Sequence, residues 1–365
     1  MRHLLVTGGA GFIGANFVHY WLQHHPADRV VVLDALTCAG NRSNLAAAEG
    51  SSQYRFVIGD ICDAQLVGDL MRDENIDCVA HFAAESHVDR SITGPDEFIR
   101  TNVLGTHALL KSARALWSLQ GRVRADVRFH HVSTDEVYGS LTSAAPAFTE
   151  ATAYRPNSPY SASKAGSDHL VRAYHHTYGL PATTSNCSNN YGPFQLPEKL
   201  IPLMLVHALE GKKLPVYGRG ENVRDWLYVE DHCAAIDAIL QRGRVGETYN
   251  VGGCNEWRNI DIVTHLCALL DVKFSEDSSL RSHFPRCPAA QGRPVSELIQ
   301  FVTDRKGHDW RYAIDATKIQ TELQFTPRER FETGIVKTVN WYLQHESWWR
   351  AVFDGSYRVD SERSG

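Results

Sequence analysis

Long apolar runs are missing from this sequence: none approaches the roughly 18 residues needed to cross a bilayer. That excludes a helical membrane protein. Excess basic charge is missing too, since 37 Lys and Arg stand against 42 Asp and Glu, for a formal net charge of −5. Such a balance leaves no electrostatic footprint for nucleic acid or an anionic membrane. The eight cysteines include no Cys-x-x-Cys pair, so zinc-ribbon and thioredoxin-type chemistry lack their framework. None of the 18 histidines falls in a His-Glu-x-x-His frame, and no metal is expected. Met1-Arg2-His3 leads straight into a strand pattern, not into a signal-peptide pattern. Scattered thiols without a leader point to the cytoplasm. Internal repeats and low-complexity linkers are absent as well, so domain limits must come from motifs.

What is present is an ordinary globular composition, 43% hydrophobic over 365 residues, with a prior of about two domains. Short apolar runs alternate with helix-period segments through the first half. Strands are expected at Leu4–Thr7, Val30–Asp34, Arg55–Gly59, Cys78–Ala83 and Phe129–Ser133, with helices at Phe12–His24 and Asp96–Leu116. Repeated strand-helix units predict an α/β fold: a doubly wound, Rossmann-like parallel sheet with a smaller mixed α/β substrate domain. The second half is less regular. It carries helical patterns at Leu200–Glu210 and Val229–Gln241 and a strand at Thr248–Val251. The polar, proline-containing segment Ser275–Ala290 is expected to be a loop. We expect a coenzyme domain over 1–187, to which segments near 225–255 and 310–345 return. An interleaved substrate domain over 188–350 and a tail over 351–365 complete the chain.

Gly8-Gly9-Ala10-Gly11-Phe12-Ile13-Gly14 joins the first strand to the first helix. Glycines at this spacing allow the tight turn and the close approach of a pyrophosphate, which meets the free N–H groups of the helix start. Asp34 ends the second strand, where a carboxylate accepts from adenine-ribose hydroxyls and repels a 2′-phosphate. That favours NAD over NADP. Asp60, in Gly59-Asp60-Ile61, is either a further adenine contact or a helix cap.

Tyr160 and Lys164 stand four apart and share a helix face. An ammonium and a cationic nicotinamide ring beside the phenol both favour phenolate, so Tyr160 is expected to act as a base, with Lys164 also holding the nicotinamide ribose. Thr134 sits where a strand ends, placed to donate to the oxygen being oxidised. Adjacent Asp135 and Glu136 suit paired acid and base work beside that centre.

These motifs identify the chain as similar to the extended short-chain dehydrogenase/reductase family. The matching stretches are Thr7–Gly14, Asp34–Asn41, His81–Ile92, Ser133–Gly139, Ser158–Lys164, Asn186–Pro202, Asn222–His232 and Asp304–Asp315. The runs Ala84–Ser91 and Asn222–Trp226 resemble its nucleotide-sugar 4,6-dehydratases in particular. The resemblance implies that dTDP-glucose or a related sugar nucleotide is the substrate and that NAD stays bound and is regenerated. It implies that Tyr160 takes the 4-hydroxyl proton, Glu136 takes the proton on carbon 5 and Asp135 protonates the departing 6-hydroxyl. A 4-keto-6-deoxy sugar nucleotide results.

By the same resemblance, Phe12, Ile13, Asp34, Ala35, Leu36, Thr37, Asp60, Ile61, Ala83, Ala84, Thr101 and Asn190 contact the coenzyme. Ser86, Thr134, Asn189, Lys199, Leu200, Pro215, Tyr217, Arg224, Asn259, Arg305 and His308 contact the sugar nucleotide. Arg224 and Arg305, forked and permanently charged, suit its diphosphate. Tyr217 either stacks on the base or packs in the core. A homodimer through the helix after Gly94 and the helix carrying Tyr160 is implied.

The chain departs from the family pattern at Cys38, commonly tyrosine, at Lys306, usually proline, and over Ser275–Ala290. The rival readings are a dehydratase or epimerase for another nucleotide sugar and, in a different class, a non-catalytic NAD-binding sensor. An epimerase needs no carboxylate pair, and a sensor needs none of Thr134, Asp135, Glu136, Tyr160 and Lys164.

Overall fold

The computed structural model describes residues 1–304 and 308–357. Arg305, Lys306 and the end of the expected tail, 358–365, lie outside the described residues. The first half supplies strands β1 (His3–Thr7), β2 (Arg29–Asp34), β3 (Tyr54–Ile58), β4 (Cys78–His81), β5 (Arg128–Thr134) and β6 (Ala182–Cys187). The second half supplies β7 (Asn189–Tyr191), β8 (Leu214–Tyr217), β9 (Val223–Tyr228), β10 (Thr248–Val251), β11 (Glu256–Arg258) and β12 (Ile299–Val302). Of these later strands only β10 joins the large sheet, whose order is β10-β6-β5-β4-β1-β2-β3. Every neighbouring pair in it is parallel.

Central parallel strands are covered on both faces, which is why β1 and β2 are apolar along their length. The alternation of side chains divides them between two cores. Leu5, Val31 and Leu33 face α2 (Ala64–Asp73) and α3 (Thr106–Trp117), where Trp117 is fully buried and donates its indole N–H to the Ile76 carbonyl at 2.7 Å. Leu4, Val6, Val30 and Val32 join Phe17 and Trp21 of α1 (Phe12–His24) on the other face.

The helix carrying the expected base, α4 (Pro159–Tyr178), has unambiguous limits. Ser158 and Ser161 form a capping box, Pro159 occupies the first turn, and Gly179 closes the helix in the left-handed region at φ 71°. Helix α5 (Leu200–Leu209), α6 (Val229–Arg242), α7 (Asn259–Glu276), α8 (Phe331–Gln344) and α9 (Glu346–Asp354) follow. Of these, α6 packs back on α1, and β10 completes the sheet beside β6. A separate core gathers Leu205, Leu266, Phe274, Phe331 and Trp349, between α5, α7, α8 and α9.

One expectation needs correction. The segment 275–290 is not a plain loop: α7 runs to Glu276, a helix covers Ser279–His283 and a 3-10 turn covers Pro288–Gln291. Its Phe284 and Cys287 are buried in the second core, and that tertiary contact overrides the polar local pattern. Within the expected tail over 351–365, α9 continues to Asp354. Trp348 in α9 donates to Asn44 Oδ1 at 2.7 Å, and Tyr357 Oη donates to the Cys38 carbonyl at 2.9 Å. The C-terminal helix thus braces the loop after β2. No helix among the described residues is long and apolar enough to cross a membrane.

Candidate active site

At the carboxyl ends of the strands lies a cleft of about 350 Å³. One end is built by the glycine turn. Gly8 takes φ 69°, and a β-carbon there would lie 2.6 Å from the Ala83 nitrogen. A β-carbon on Gly14 would lie 2.2 Å from the Gly8 carbonyl oxygen. Gly11 caps α1 with no side-chain hydrogen bond to the first-turn N–H groups. Those donors face the cleft, which Gly8, Gly11, Phe12, Ile13 and Gly14 all line.

Asp34, Ala35 and Thr37 form the next wall. Asp34 is buried; its Oδ2 accepts from Ala10 N at 2.9 Å and its Oδ1 from Leu36 N at 2.8 Å. Burial raises its pKa, against the pull of those two N–H groups. The remaining lone pairs are the acceptors left for a ribose. Leu36 turns away from the cleft lining, in the left-handed region at φ 51°. Asp60 lines the cleft and also makes the local turn: Oδ1 accepts from Cys62 N at 2.8 Å, and Oδ2 accepts from Arg100 at 2.6 Å. Burial raises its carboxyl, but the Cys62 and Arg100 bonds together hold it below the usual range. The cap of α2 is Asp63, not Asp60.

Ile61, Ala83, Ala84, Thr101 and Asn190 also reach the cleft. Thr101 sits in a π-helical stretch, Ile99–Gly105, of the kind that often marks a functional site. There Asn102 donates to the Glu85 carbonyl at 3.0 Å and to Ser163 Oγ at 2.8 Å, tying the cleft wall to α4.

The catalytic candidates converge from β5 and α4. Thr134, Glu136, Tyr160 and Lys164 line the cleft, while Asp135 sits just behind it at 2% exposure. Thr134 ends β5 and caps the 3-10 turn Asp135–Tyr138, its hydroxyl accepting from Glu136 N at 3.2 Å. Burial pushes the Asp135 carboxyl well above its ordinary value, and Glu136 and Asp225 push it further, against Arg224. Asp135 Oδ2 makes no hydrogen bond among the described residues. The surroundings of this carboxyl therefore favour its protonated form.

The chain's own residues do not lower the Tyr160 pKa; the expected lowering rests on the nicotinamide cation as well. Burial, then the Glu136 charge, push the phenol well above its ordinary value, and the Thr134 hydroxyl only partly opposes them. The Lys164 ammonium is directed to the Val132 carbonyl at 2.8 Å, and its own pKa is lowered by burial against the pull of Asp168.

Of the sugar-nucleotide candidates, Ser86, Asn189 and Lys199 line the cleft, and Lys199 Nζ donates to the Ser86 carbonyl at 3.2 Å. Asn189 Oδ1 is buried without a hydrogen-bond partner among the described residues. Leu200 packs on the second core instead. Arg224 is buried, stacked 4.2 Å over Tyr312, and donates to the carbonyls of Val223 and Asp309 at 2.8 and 2.9 Å. It lies beside Asp135 rather than in the cleft lining. Pro215, Tyr217, Asn259 and His308 group away from that lining, where β8 pairs with β12. Tyr217 is 44% exposed, with its ring edge-on to His308 at 6.4 Å, so it is not a core residue. Asn259 N donates to the Asn222 carbonyl at 3.0 Å, and its Oδ1 is buried without a partner among the described residues.

Sequence reasoning passed over Glu85, Arg100, Ser133, Glu198 and Asp168. The first four line the cleft, and Asp168 accepts from Ser133 Oγ at 2.8 Å. A signal for Asp168 was available, because it continues the four-residue spacing of Tyr160 and Lys164 on α4.

Comparison with known proteins identifies the family. A family model described as GDP-mannose 4,6 dehydratase matches residues 5–338. The dTDP-glucose 4,6-dehydratase of Xanthomonas campestris pv. campestris (strain B100) is 57% identical over 361 residues, 99% of this chain and 98% of that one. That of Escherichia coli (strain K12) is 52% identical over 364 residues, covering 97% and 96%. Among solved structures, dTDP-glucose 4,6-dehydratase from Bacillus anthracis in complex with NAD superposes with a TM-score of 0.83 at 44% identity, covering 96% of this chain and 100% of that one. The Streptomyces venezuelae enzyme, also solved with NAD bound, gives 0.84 at 46% identity with the same coverage. From full-length identity and shared architecture together, this chain belongs to the dTDP-glucose 4,6-dehydratase family.

Proposed function

We propose that the chain removes water from dTDP-glucose, giving the 4-keto-6-deoxy sugar nucleotide, with NAD held in the cleft. The observation that carries this reading is the carboxyl pair at the end of β5: Asp135, buried so that its protonated form is favoured, beside Glu136 on the cleft wall. The coenzyme fits the chain's own features. The Gly8–Gly14 turn admits a pyrophosphate where side chains would collide with backbone, and Asp34 offers carboxylate lone pairs to a ribose. Bound NAD supplies reversible oxidation at carbon 4 and reduction at carbon 6. Tyr160 removes the 4-hydroxyl proton, and Thr134 fixes that oxygen. Because the chain alone keeps the phenol protonated, a cation in the cleft is needed to bring it into range. A ketone at carbon 4 acidifies the proton on carbon 5, which Glu136 takes while Asp135 protonates the leaving 6-hydroxyl. Incubation with dTDP-glucose in deuterated water is expected to give a carbon-6 methyl group and deuterium at carbon 5 by NMR. Recovery of dTDP-glucose unchanged, or of an inverted sugar with its 6-hydroxyl intact, overturns the reading.

Two coarser features are also proposed. All eight cysteines are free thiols, which supports a reducing, cytoplasmic setting. Ile92, Ile99 and Leu104 expose 56%, 47% and 57% of their surface along the helical segments around Gly94. This apolar stripe supports pairing with a second copy of the chain. Leu104→Arg is expected to convert the sedimenting species from dimer to monomer; an intact dimer refutes the assignment.

A further inference from the structure

The proposed dehydration leaves protons misplaced after every turnover. Tyr160 has gained one from the 4-hydroxyl, and Asp135 has lost one to the departing water. Glu136 is restored when carbon 5 is reprotonated. The next cycle needs a phenolate at Tyr160 and an acid at Asp135. Asp135 is reloaded from solvent through the cleft that admits the substrate. Tyr160 lines the same cleft, and a route on its other side would discharge it while coenzyme and sugar still fill that cleft.

A second cavity, of about 290 Å³, shares no lining residue with the catalytic cleft. Its wall is formed by one side of α4, the start of β6, the residues before and at the start of β10 and the stretch 150–154. Asp168 belongs to that wall although it is 5% exposed. Ser133 belongs to the catalytic cleft, and its hydroxyl donates to Asp168 Oδ2 at 2.8 Å. One hydrogen bond therefore connects the two compartments. Tyr160, Lys164 and Asp168 also follow one another at four-residue spacing on α4, on one face of the helix.

We infer that Ser133 and Asp168 form the proton outlet of Tyr160, with Asp168 a positioning residue for protons that pass through Lys164. Lys164 Nζ, which rests on the Val132 carbonyl, must turn to the next residue along β5, giving a proton to the Ser133 oxygen as the Ser133 proton moves to Asp168 Oδ2. The Tyr160 phenol then transfers its proton to the Lys164 amine. The new O–H bond of Asp168 breaks into the water of the second cavity. Phenolate, ammonium, hydroxyl and carboxylate are all regenerated, and one proton has left.

The groups facing Asp168 are compatible with this traffic. From β5, His131 Nε2 lies 3.1 Å from Oδ1; burial, then Lys164, hold that imidazole neutral. From α4 come Lys164 and His169, and from the stretch after β5 comes Tyr154. Glu150, Arg172, His175 and Glu247 line the same cavity. Burial raises the Asp168 carboxyl to about 6, against Lys164, Ser133, Tyr154 and His169. It is ionised at neutral pH and ready to accept. Below about pH 6 it already carries a proton, so the outlet closes and turnover falls.

This inference rests on the dehydratase reading, and its test separates the two. In Asp168→Asn holoenzyme, kcat is expected to fall roughly 10²-fold with KM for dTDP-glucose unchanged, and the acid limb near pH 6 is expected to vanish. Ser133→Ala, which leaves the carboxyl in place, is expected to lose kcat similarly. Infrared spectra of substrate-free protein are expected to show a carboxylic-acid band titrating near pH 6 in wild type, at higher pH in Ser133→Ala, which loses the bond that opposes the rise, and not at all in Asp168→Asn. A wild type inert towards dTDP-glucose refutes the function, and the outlet with it. An active wild type whose kcat and pH profile survive both substitutions refutes the outlet alone. So does an infrared band that persists in Asp168→Asn.

Discussion

Asp135→Asn is expected to lower kcat by about 10²–10⁴-fold, the range general acid catalysis supplies, while dTDP-glucose still binds. Asparagine keeps the volume and can still donate a hydrogen bond, but it cannot release a proton to the departing hydroxyl. Glu136 is untouched on the neighbouring position and still lines the cleft. Removal of the carbon-5 proton therefore continues without elimination. The variant is expected to return dTDP-glucose carrying deuterium at carbon 5 when incubated in deuterated water, a result that simple misfolding does not give. The pH profile provides a second reading. Because burial, Glu136 and Asp225 raise the Asp135 pKa, wild-type kcat is expected to fall as alkaline pH removes its proton. That alkaline limb should be missing from what activity Asp135→Asn retains. Wild-type turnover by the variant places the acid elsewhere.

The second large effect is expected at Gly14. An alanine β-carbon there would lie 2.2 Å from the Gly8 carbonyl oxygen, 2.8 Å from Gly9 Cα and 2.9 Å from the Gly8 carbonyl carbon. All three are backbone atoms of the turn itself, so no rotamer change relieves the clash. Either the turn opens or α1 shifts away from β1, and each displaces the N–H groups proposed to receive the pyrophosphate. Gly14→Ala is expected to cost about 3 kcal/mol of stability and to yield protein without bound coenzyme, read by calorimetry and by coenzyme released on denaturation. Gly68→Ala is the matched control. Gly68 lies within α2, and its added β-carbon would meet nothing nearer than Ser112 Oγ at 3.9 Å. There alanine is expected to stabilise by about 0.5–1 kcal/mol and leave coenzyme content unchanged. Full coenzyme occupancy in Gly14→Ala refutes the packing account of the turn.

Those parts of the site written in local code were legible before the structure. The glycine turn, Asp34 at the end of β2 and the Tyr160–Lys164 spacing each express a geometry only a few residues long, so the chain declares them directly. The sheet's first strands were legible because burial on both faces demands continuous apolar runs. Long-range terms decided the remainder. The phenol of Tyr160 is raised by burial and by Glu136, a residue distant in the chain, which four-residue spacing does not encode. Arg224 looked like a free fork, yet its donors meet carbonyls of Val223 and Asp309. The segment around Phe284 looked polar because its buried residues, Phe284 and Cys287 to Ala289, are sparse among surface ones. Asp168 carried no motif of its own, and only its bond to Ser133 and its place on a second cavity give it meaning.

The brace between α9 and the loop after β2 has a bearing on biosynthesis. Asn44 and Trp348 are 304 positions apart, and Cys38 and Tyr357 are 319 apart. A ribosome working from the N-terminus releases the adenosine-side loop long before its buttress exists. Nascent chains can wind the glycine turn early, but they finish that wall among the last contacts to form. The Tyr357 bond ends on a main-chain oxygen, so evolution was free to exchange the side chain at Cys38 without unfastening the clasp.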